Sequence, residues 1–425
     1  MLVVKWKKEL SGEINIGWSK NAALPIMAAA LLIKGKVTLN NVPEIQDVFT
    51  YLDILKGIWV KYEFASNKLI LDSTHLKHTN FDLEKIKKIR VSVLLLAPLL
   101  DRLWNVSIPT PGGCNLWARS IFSHLKWLEN IGYKYEYKQD ESWADLVYLS
   151  GKSKSWDLVI DAGFWVTPTE NLIVANVLRK GQTTIRLSAI EPHVLNLIDF
   201  LRKAGAEIFI RYDHTIIINW VDELKTDFEF DVISDYIQSW TYMIIAALTA
   251  KDYIDIKNAR IDDLYAFLEK LREAWVKFED LWNDTLRVYR AKNLKATNIQ
   301  TNIFPGFPTD LQSPFAVLQT QANWVSKIHE ILFEGRLNWL VELETMWLNM
   351  SILNPHEAQI IWPVEFKAWK TVTSWDLRAG ASMVIAGLIT DWVTKIEKVE
   401  YIHRWYENIV ENLAKLWALI EEVED

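Results

Sequence analysis

The sequence predicts an α/β fold built from six similar units, and three observations support this prediction. A pattern in which a helix ends and a strand begins recurs six times along the 425 residues. The recurrences are spaced by about 70 residues, so that six units fill the chain. At each one, helical spacing of apolar residues changes to the alternation of apolar and polar residues that is typical of a strand.

The recurring segment has either Gly or Trp at its fifth position. The six segments are LKGIWVKYE from Leu55, LENIGYKYE from Leu128, LRKAGAEIF from Leu201, LREAWVKFE from Leu271, LETMWLNMS from Leu343 and LAKLWALIE from Leu413. Their fifth residues are Trp59, Gly132, Gly205, Trp275, Trp347 and Trp417. A helix commonly ends here in the left-handed conformation, which Gly adopts easily because it has no Cβ. The two glycines fit this position and the four tryptophans do not.

The composition shows the same anomaly, with 22 Trp and only 15 Gly. Average usage of near 7% predicts roughly 30 Gly, and a left-handed residue other than Gly costs about 1–2 kcal/mol. Further tryptophans stand where Gly is expected, at positions 18, 104, 117, 324, 392 and 405. We hypothesise that most of these residues are glycines in the native protein, encoded by UGA codons that are read here as Trp. The alternative is a genuinely Trp-rich protein with aromatic turns, and the codon at each position decides between the two.

Composition and charge exclude several classes of protein. The net charge of −7 argues against a nucleic-acid binder, and the N-terminus has no signal-peptide pattern. The longest apolar run, residues 91–100, is too short to span a bilayer and predicts a buried helix. The single cysteine, Cys114, excludes an internal disulfide and favours the cytoplasm. We therefore expect a cytoplasmic, monomeric protein without membrane or nucleic-acid partners.

No histidine pattern indicates a metal site. Neither HExxH nor a Cys/His spacing occurs, and no Walker motif is present. His124 and His403 are interpreted as structural hydrogen-bond donors. We therefore expect neither a metal nor an organic cofactor.

Six motifs point to one family. They are SKNAALP (19–25), PGGC with AR beyond it (111–119), FPGFPTDLQ (304–312), FEGR (333–336), DLRAGAS (376–382) and HRWYENI (403–409). With Gly in place of Trp18 and Trp117, the chain resembles the UDP-N-acetylglucosamine enolpyruvyl transferases of the EPSP synthase-like superfamily over essentially its full length. Together the six motifs are specific for this family, whereas any one of them alone is weak evidence.

The resemblance implies an architecture and an activity. The architecture is a two-domain, inside-out α/β barrel with three units per domain and the active site between the domains. The first domain covers residues 20–229, and the second covers residues 1–19 with 230–425. The activity is transfer of enolpyruvyl from phosphoenolpyruvate to the 3-hydroxyl of UDP-N-acetylglucosamine with release of phosphate, the first committed step of peptidoglycan synthesis.

Phosphoenolpyruvate carries a phosphate and a carboxylate on a small frame, so its site needs several convergent cations. The candidates are Lys20, Arg90, Arg119, Arg378 and Arg404. Any single Arg is more commonly a solvated surface charge, but these lie in or near the matched motifs. Because they come from both predicted domains, we expect domain closure to assemble the cluster and exclude water.

Cys114 is the strongest single candidate for a catalytic residue. A lone cysteine is usually an inert buried thiol, but a Pro-Gly-Gly loop is an improbable core, and nearby Arg119 and Lys20 favour the reactive thiolate. In the family, the equivalent cysteine delivers a proton to the C3 methylene, can bond to the substrate and is the target of fosfomycin. Trp117 would obstruct such a loop, which is why we interpret it as Gly.

The other candidates have supporting roles. Asp310 is the candidate base for the sugar hydroxyl, although an Asp after Pro308 commonly makes a turn hydrogen bond. Asn21 is expected to bind the sugar or the tetrahedral intermediate, and Arg336 and Asp376 to orient groups at the centre. Residues 163–171 partly resemble the family's diphosphate-contacting turn, which implies Thr167, Thr169, Glu170 and Asn171 as candidate contacts.

The sequence also departs from the family. Ser120 and Phe122 replace the usual Pro and the acidic residue that helps to hold uracil, so uridine recognition is less secure than the chemistry. Tyr236 replaces a usual Arg.

Two other functions remain open at this stage. One is the shikimate-pathway relative, which acts on shikimate 3-phosphate but would not need the PGGC loop. The other is an inactive paralogue that binds the UDP-sugar. The set formed by Lys20, Cys114, Asp310 and Arg404 argues against an inactive protein.

Overall fold

The computed structural model describes residues 1–6, 8–77, 85–86, 89–109, 121–139, 145–361, 364–367, 371–374 and 376–423. The chain divides into two compact units. One unit is the continuous stretch Trp18–Ile233, and the other combines Met1–Gly17 with Ser234–Asp425. We call them the continuous unit and the split unit.

The helices of the described residues are mostly short. They are α1 (Lys20–Ala29), α2 (Gln46–Gly57), α3 (Leu96–Leu103), α4 (Phe122–Ile131), α5 (Val166–Asn176), α6 (Pro192–Lys203), α7 (Tyr236–Thr249), α8 (Tyr265–Glu273), α9 (Gln312–Gln319), α10 (Trp339–Glu344), α11 (Leu377–Leu388), α12 (Glu400–His403) and α13 (Ile409–Lys415). Short 3-10 helices occupy Ala30–Leu32, Arg90–Leu95, Ile261–Asp263 and Thr309–Leu311. In the part of the chain that the structure covers, no helix has the length and hydropathy that a membrane span requires.

The strands are equally short. They are β1 (Leu2–Val4), β2 (Leu10–Asn15), β3 (Lys36–Asn40), β4 (Lys61–Ala65), β5 (Lys68–Asp72), β6 (Asn105–Pro109), β7 (Lys134–Gln139), β8 (Asp145–Ser150), β9 (Leu158–Asp161), β10 (Thr183–Arg186), β11 (Glu207–Arg211), β12 (Thr215–Asn219), β13 (Phe228–Asp231), β14 (Ala250–Lys257), β15 (Phe278–Asp280), β16 (Leu286–Tyr289), β17 (Leu294–Lys295), β18 (Ile299–Gln300), β19 (Ala322–Asn323), β20 (Val325–His329), β21 (Met350–Asn354), β22 (Glu357–Ile361), β23 (Thr371–Thr373), β24 (Thr394–Glu397) and β25 (Ile420–Glu422).

Each unit contains three larger sheets. In the continuous unit the strand orders are β13-β3-β5-β4, β6-β8-β7 and β11-β12-β10-β9. In the split unit they are β15-β16-β14-β2, β18-β20-β22-β21 and β23-β24-β1-β25, beside the small pair β17-β19. Five of the six larger sheets contain one parallel strand pair and are otherwise antiparallel. The predicted α/β fold of six similar units is confirmed.

The split unit closes on itself through β1. Leu2 lies opposite Ile396 of β24 on one side and opposite Glu422 of β25 on the other, both antiparallel. The amino group of Met1 donates to the carbonyl of Val423 over 2.9 Å. The first and last strands of the chain therefore pair within one sheet.

All six recurring positions end a helix in the left-handed region, as the sequence predicts. Their φ values are 67° at Trp59, 121° at Gly132, 100° at Gly205, 65° at Trp275, 73° at Trp347 and 74° at Trp417. At each, the residue's own N–H bonds to the carbonyl three residues back, and the next N–H bonds to the carbonyl five residues back. This pair of bonds is the Schellman motif, which satisfies the last carbonyls of a helix.

A lysine covers each of these helix ends, a regularity that the sequence analysis missed. Lys77, Lys295, Lys367 and Lys8 place their ammonium groups over the rings of Trp59, Trp275, Trp347 and Trp417, and Lys154 and Lys225 lie against Gly132 and Gly205. In five cases the backbone N–H of the lysine also donates a hydrogen bond to the backbone carbonyl of the residue before the Gly or Trp. A cation near a helix C-terminus is favourable because of the helix dipole.

The left-handed tryptophans share a second property. Among the described residues, seven tryptophans have positive φ, and each of these residues is more than half exposed: Trp59, Trp104, Trp275, Trp282, Trp324, Trp347 and Trp417. Trp18, Trp392 and Trp405 do not have positive φ. For these three, the expectation of a backbone that only Gly adopts easily is wrong, while Trp117 lies outside the described residues.

The apolar run of residues 91–100 is buried, as expected. It is not one α-helix, however, because the 3-10 helix Arg90–Leu95 precedes α3. Each unit has its own apolar core, formed by the inner faces of its sheets and helices.

Candidate functional site

In the split unit, the carboxylate of Asp310 bonds to two other predicted site residues, Arg336 and Arg378. Asp310 lies in the turn Thr309–Leu311, directly before α9. Its Oδ1 accepts a hydrogen bond from Nη2 of Arg336 at 2.5 Å and another from Nε of Arg378 at 2.6 Å. The structure thus brings the FPTD, FEGR and DLRAG motifs to one point.

Asp376 fixes the position of Arg378. It is the N-cap of α11, and its Oδ1 accepts from the backbone N–H groups of Arg378 and Ala379, both at 2.8 Å. An N-cap carboxylate satisfies N–H groups that would otherwise lack partners. Asp376 therefore fixes the first turn of the helix that carries Arg378, and its orienting role in the site stays a prediction.

The two arginines differ in access to solvent. The Arg336 side chain is 9% exposed and that of Arg378 is 27% exposed. Burial, together with neighbouring Arg378, lowers the pKa of Arg336 to about 10, although Asp310, Glu330 and Asp376 oppose this shift. Arg336 is still charged at neutral pH. Arg378 is the guanidinium that an anionic ligand could reach.

The HRWYENI motif lies beside Arg378. The Arg378 guanidinium is 5.7 Å from the centre of the Trp405 ring. Trp405 is buried, and its Nε1 donates to Oδ2 of Asp235 over 2.8 Å. Arg404, at the end of α12, is half-buried. The predicted anion-binding residues Arg378 and Arg404 therefore belong to neighbouring segments of the same unit.

The SKNAALP motif lies in the continuous unit and opens α1. The Ser19 Oγ caps the helix by accepting from Ala22 N over 3.3 Å. The Lys20 Nζ lies 3.1 Å from Oδ2 of Asp47, and both side chains are buried. A buried ammonium requires such a partner, and the helix N-terminus adds positive potential for an anion. Asn21 follows with partial exposure.

The stretch predicted to contact the diphosphate forms the start of α5, also in the continuous unit. Thr167 is half-buried. Thr169 and Asn171 are engaged inside the fold: Oγ1 of Thr169 bonds to Trp165 O and to Ala189 N, and Nδ2 of Asn171 bonds to Val93 O. Burial, with a smaller contribution from the charge of Glu191, raises the pKa of Glu170 well above the usual carboxyl range.

The side chains of three predicted site residues, Cys114, Arg119 and Arg90, are outside the described part of the structure. Cys114 and Arg119 lie wholly outside the described residues, as does Trp117. Arg90 opens a 3-10 helix, but its side chain is likewise outside the described part. Within the described ranges, no group of three or more His, Cys, Asp or Glu side chains is arranged to hold a metal ion.

Three buried acids that were not predicted from the sequence lie next to the predicted residues. Asp47 pairs with Lys20, Asp235 accepts from Trp405, and Glu330 contacts the turn that holds Asp310. Glu330 lies six residues before Arg336 but belongs to no motif, so the sequence gives no sign of its role. The other two come from elements distant in the sequence.

Comparison with known proteins covers nearly the whole chain. Residues 4–413 match the family described as EPSP synthase (3-phosphoshikimate 1-carboxyvinyltransferase). A UDP-N-acetylglucosamine 1-carboxyvinyltransferase of Campylobacter lari is 36% identical over 98% of this chain and 98% of its own length. UDP-N-acetylglucosamine 1-carboxyvinyltransferase 2 of Carboxydothermus hydrogenoformans is 37% identical over 100% of this chain and 99% of its own.

Solved structures agree in fold. The enolpyruvyl transferase NikO from Streptomyces tendae has a TM-score of 0.88 at 20% identity, covering 99% of this chain and 98% of its own. EPSP synthase from Acinetobacter baumannii has a TM-score of 0.73 at 16% identity, with 99% of both chains covered. At these identities the likeness concerns the fold alone.

Proposed function

The chain belongs to the EPSP synthase-like family of enolpyruvyl transferases, and from this premise we propose that it transfers enolpyruvyl from phosphoenolpyruvate to the 3-hydroxyl of UDP-N-acetylglucosamine. The observation that carries the proposal is the identity of 36–37%, over almost the full length, with enzymes that bear this name. Phosphate is the other product. The reaction would supply peptidoglycan synthesis, and we propose a cytoplasmic enzyme with these two small-molecule substrates.

The chemistry divides among the candidate residues. Asp310 accepts the proton of the 3-hydroxyl as that oxygen bonds to C2 of phosphoenolpyruvate, and Cys114 delivers a proton to C3. Loss of phosphate from C2 and of a proton from C3 restores the double bond. Lys20, Arg90, Arg119, Arg378 and Arg404 would bind the anionic groups. Arg336 and Asp376 would orient Asp310 and Arg378, and Asn21 and Thr167 would contact the UDP-sugar.

The geometry around Asp310 supports this role. A base must be held in one position, and two guanidinium groups that donate to the same oxygen fix the position of Asp310. A simple turn hydrogen bond, the alternative considered for this Asp, would not require two arginines from separate motifs. Arg378 is accessible enough to exchange this contact for a ligand anion.

The second candidate is transfer to shikimate 3-phosphate, which the description of the matched family names. The near-full-length relatives at 36–37% identity favour the UDP-sugar instead, whereas the EPSP synthase from Acinetobacter baumannii shares 16% identity. Release of inorganic phosphate from phosphoenolpyruvate should therefore require UDP-N-acetylglucosamine. Turnover with shikimate 3-phosphate alone would overturn the proposal, and turnover with neither acceptor would indicate an inactive paralogue.

Asp310→Asn provides the matched test of the site. The variant keeps the shape of the side chain but cannot accept a proton, so phosphate release should fall by roughly 10²- to 10⁴-fold. Glu279→Gln is the control, because Glu279 is an acid of the same unit that is paired with Lys277 on the surface. Equal activity of the two variants would remove Asp310 from the mechanism.

A further inference from the structure

We infer that Glu330 is a positioning residue, which holds the turn bearing Asp310 against the segment bearing Arg336. The inference rests on the proposed function for its meaning in catalysis. Glu330 lies directly after β20, at the start of the loop that leads to Arg336, and is 0% exposed.

Five hydrogen bonds end on this carboxylate. Oε1 accepts from Thr301 Oγ1 at 2.9 Å, from Leu332 N at 2.9 Å and from Phe333 N at 3.1 Å. Oε2 accepts from Thr309 Oγ1 at 2.5 Å and from Gln312 Nε2 at 2.8 Å. Hydrogen bonds to a carboxylate are strong, and the bond from Thr309 is the shortest of the five.

The two oxygens serve two different segments. Thr309 and Gln312 flank Asp310 on either side, whereas Leu332 and Phe333 begin the stretch that reaches Arg336. The one carboxylate therefore fixes the distance between the turn with the candidate base and the loop with its arginine. Gln312 extends the network, since its Oε1 accepts from Trp339 Nε1 over 2.9 Å at the start of α10.

Stability alone does not account for a charge in this position. Taking a carboxylate out of water is costly, and well-packed apolar residues are often at least as stable. A carboxylate is nevertheless the side chain that can accept from donors on both sides at once. A glutamine would present an NH₂ group to donors on one side, leaving them unpaired. The geometry thus points to precise placement of Asp310 as the reason for the acid.

Substitutions of two threonines distinguish a positioning role of Glu330 from a purely structural role. Thr309→Val removes, at nearly constant volume, one of the two bonds between Glu330 and the residues that flank Asp310, and it leaves the bond from Gln312. Thr301→Val removes a bond to the same carboxylate from the other side, and also the bond that Thr301 Oγ1 accepts from Ile331 N. Thr301 is fully buried, whereas Thr309 is half-buried. Thr301→Val should therefore lower the melting temperature more.

We expect the order of the variants in kcat to differ from their order in melting temperature. Thr309→Val should reduce kcat by roughly 10- to 100-fold at little changed KM for both substrates, since small displacements of a catalytic group have effects of this size. Thr301→Val should reduce kcat less than Thr309→Val despite its lower melting temperature. Glu330→Gln should resemble Thr309→Val in kcat. If kcat instead follows melting temperature across the three variants, Glu330 is merely structural and the inference is wrong.

A second measurement separates this inference from the proposed function. Amide hydrogen exchange of the ligand-free protein should rise at residues 309–312 in Thr309→Val but not in Thr301→Val. This readout does not depend on turnover. If the wild-type protein releases no phosphate, the proposed function fails, while unchanged exchange at 309–312 would overturn the role of Glu330.

Discussion

Substituting Trp275 by Gly and, in a second variant, by Ala would isolate the energetic cost of the left-handed helix end. Trp275 has a φ of 65°, and its N–H and that of Val276 donate to Arg272 O and Leu271 O at 3.0 and 2.9 Å. Both substitutions remove the indole and its contact with Lys295. The difference in stability between the two variants therefore reports only the Cβ.

Two opposing contributions set the size of that difference. A Cβ in the left-handed region costs about 1–2 kcal/mol. Gly loses more conformational freedom on folding than Ala, which costs roughly 0.5–1 kcal/mol. The Gly variant should thus be more stable by about 0.5–1 kcal/mol. At exposed Trp392, which does not have positive φ, only the second contribution applies, so the order should reverse.

Urea denaturation followed by far-ultraviolet circular dichroism would measure both pairs of variants. A difference of 1 kcal/mol corresponds to roughly 2–4 °C in melting temperature for a unit of this size, which a thermal scan would confirm. The reasoning is refuted if Ala is at least as stable as Gly at 275, or if positions 275 and 392 show the same order.

Three further predictions follow from the structure and the sequence. Glu170→Gln should stabilise the protein relative to wild type increasingly as pH rises above about 4, the usual carboxyl pKa. The pKa of Glu170 is raised in the folded state, so the wild type loses stability as pH rises towards that pKa, whereas Gln mimics the neutral acid. A pH-independent difference in urea denaturation would contradict this. Fosfomycin should alkylate Cys114, and Cys114→Asp should be active but resistant; full inhibition of that variant would exclude the assignment. Mass spectrometry of the protein isolated from its source should find Gly at 59, 275, 347 and 417, whereas TGG codons or intact indoles there would end the recoding hypothesis.

Features that depend on one stretch of chain could be predicted from the sequence. The left-handed helix ends follow from a local rule about Cβ, so six positions were identified without a structure. Five of the lysines that cover them lie about 20 residues further along the chain, where the intervening hairpin brings them back to the helix end, and the sixth, Lys8, comes from the N-terminal segment. No local pattern predicts either arrangement.

The candidate site was predictable in part. Asp310, Arg336 and Arg378 could be proposed because each lies in a recognisable motif, but their meeting on one oxygen depends on how the split unit folds. Glu330 lies in no motif, and its side-chain donors are 18 to 29 residues away in the sequence. Such a role arises only when separate segments converge, which explains why residue patterns did not reveal it.

The pairing of β1 with β24 and β25 has a consequence for biosynthesis. The stretch Trp18–Ile233 leaves the ribosome as one uninterrupted piece and can fold early, as domains generally do. Strand β2 finds its partner β14 at residues 250–257, but β1 must wait until β24 and β25, at residues 394–397 and 420–422, have been translated. A nascent chain stalled before β24 would thus combine a folded continuous unit with an unpaired strand β1. An unpaired strand is prone to aggregation, and chaperones protect such segments.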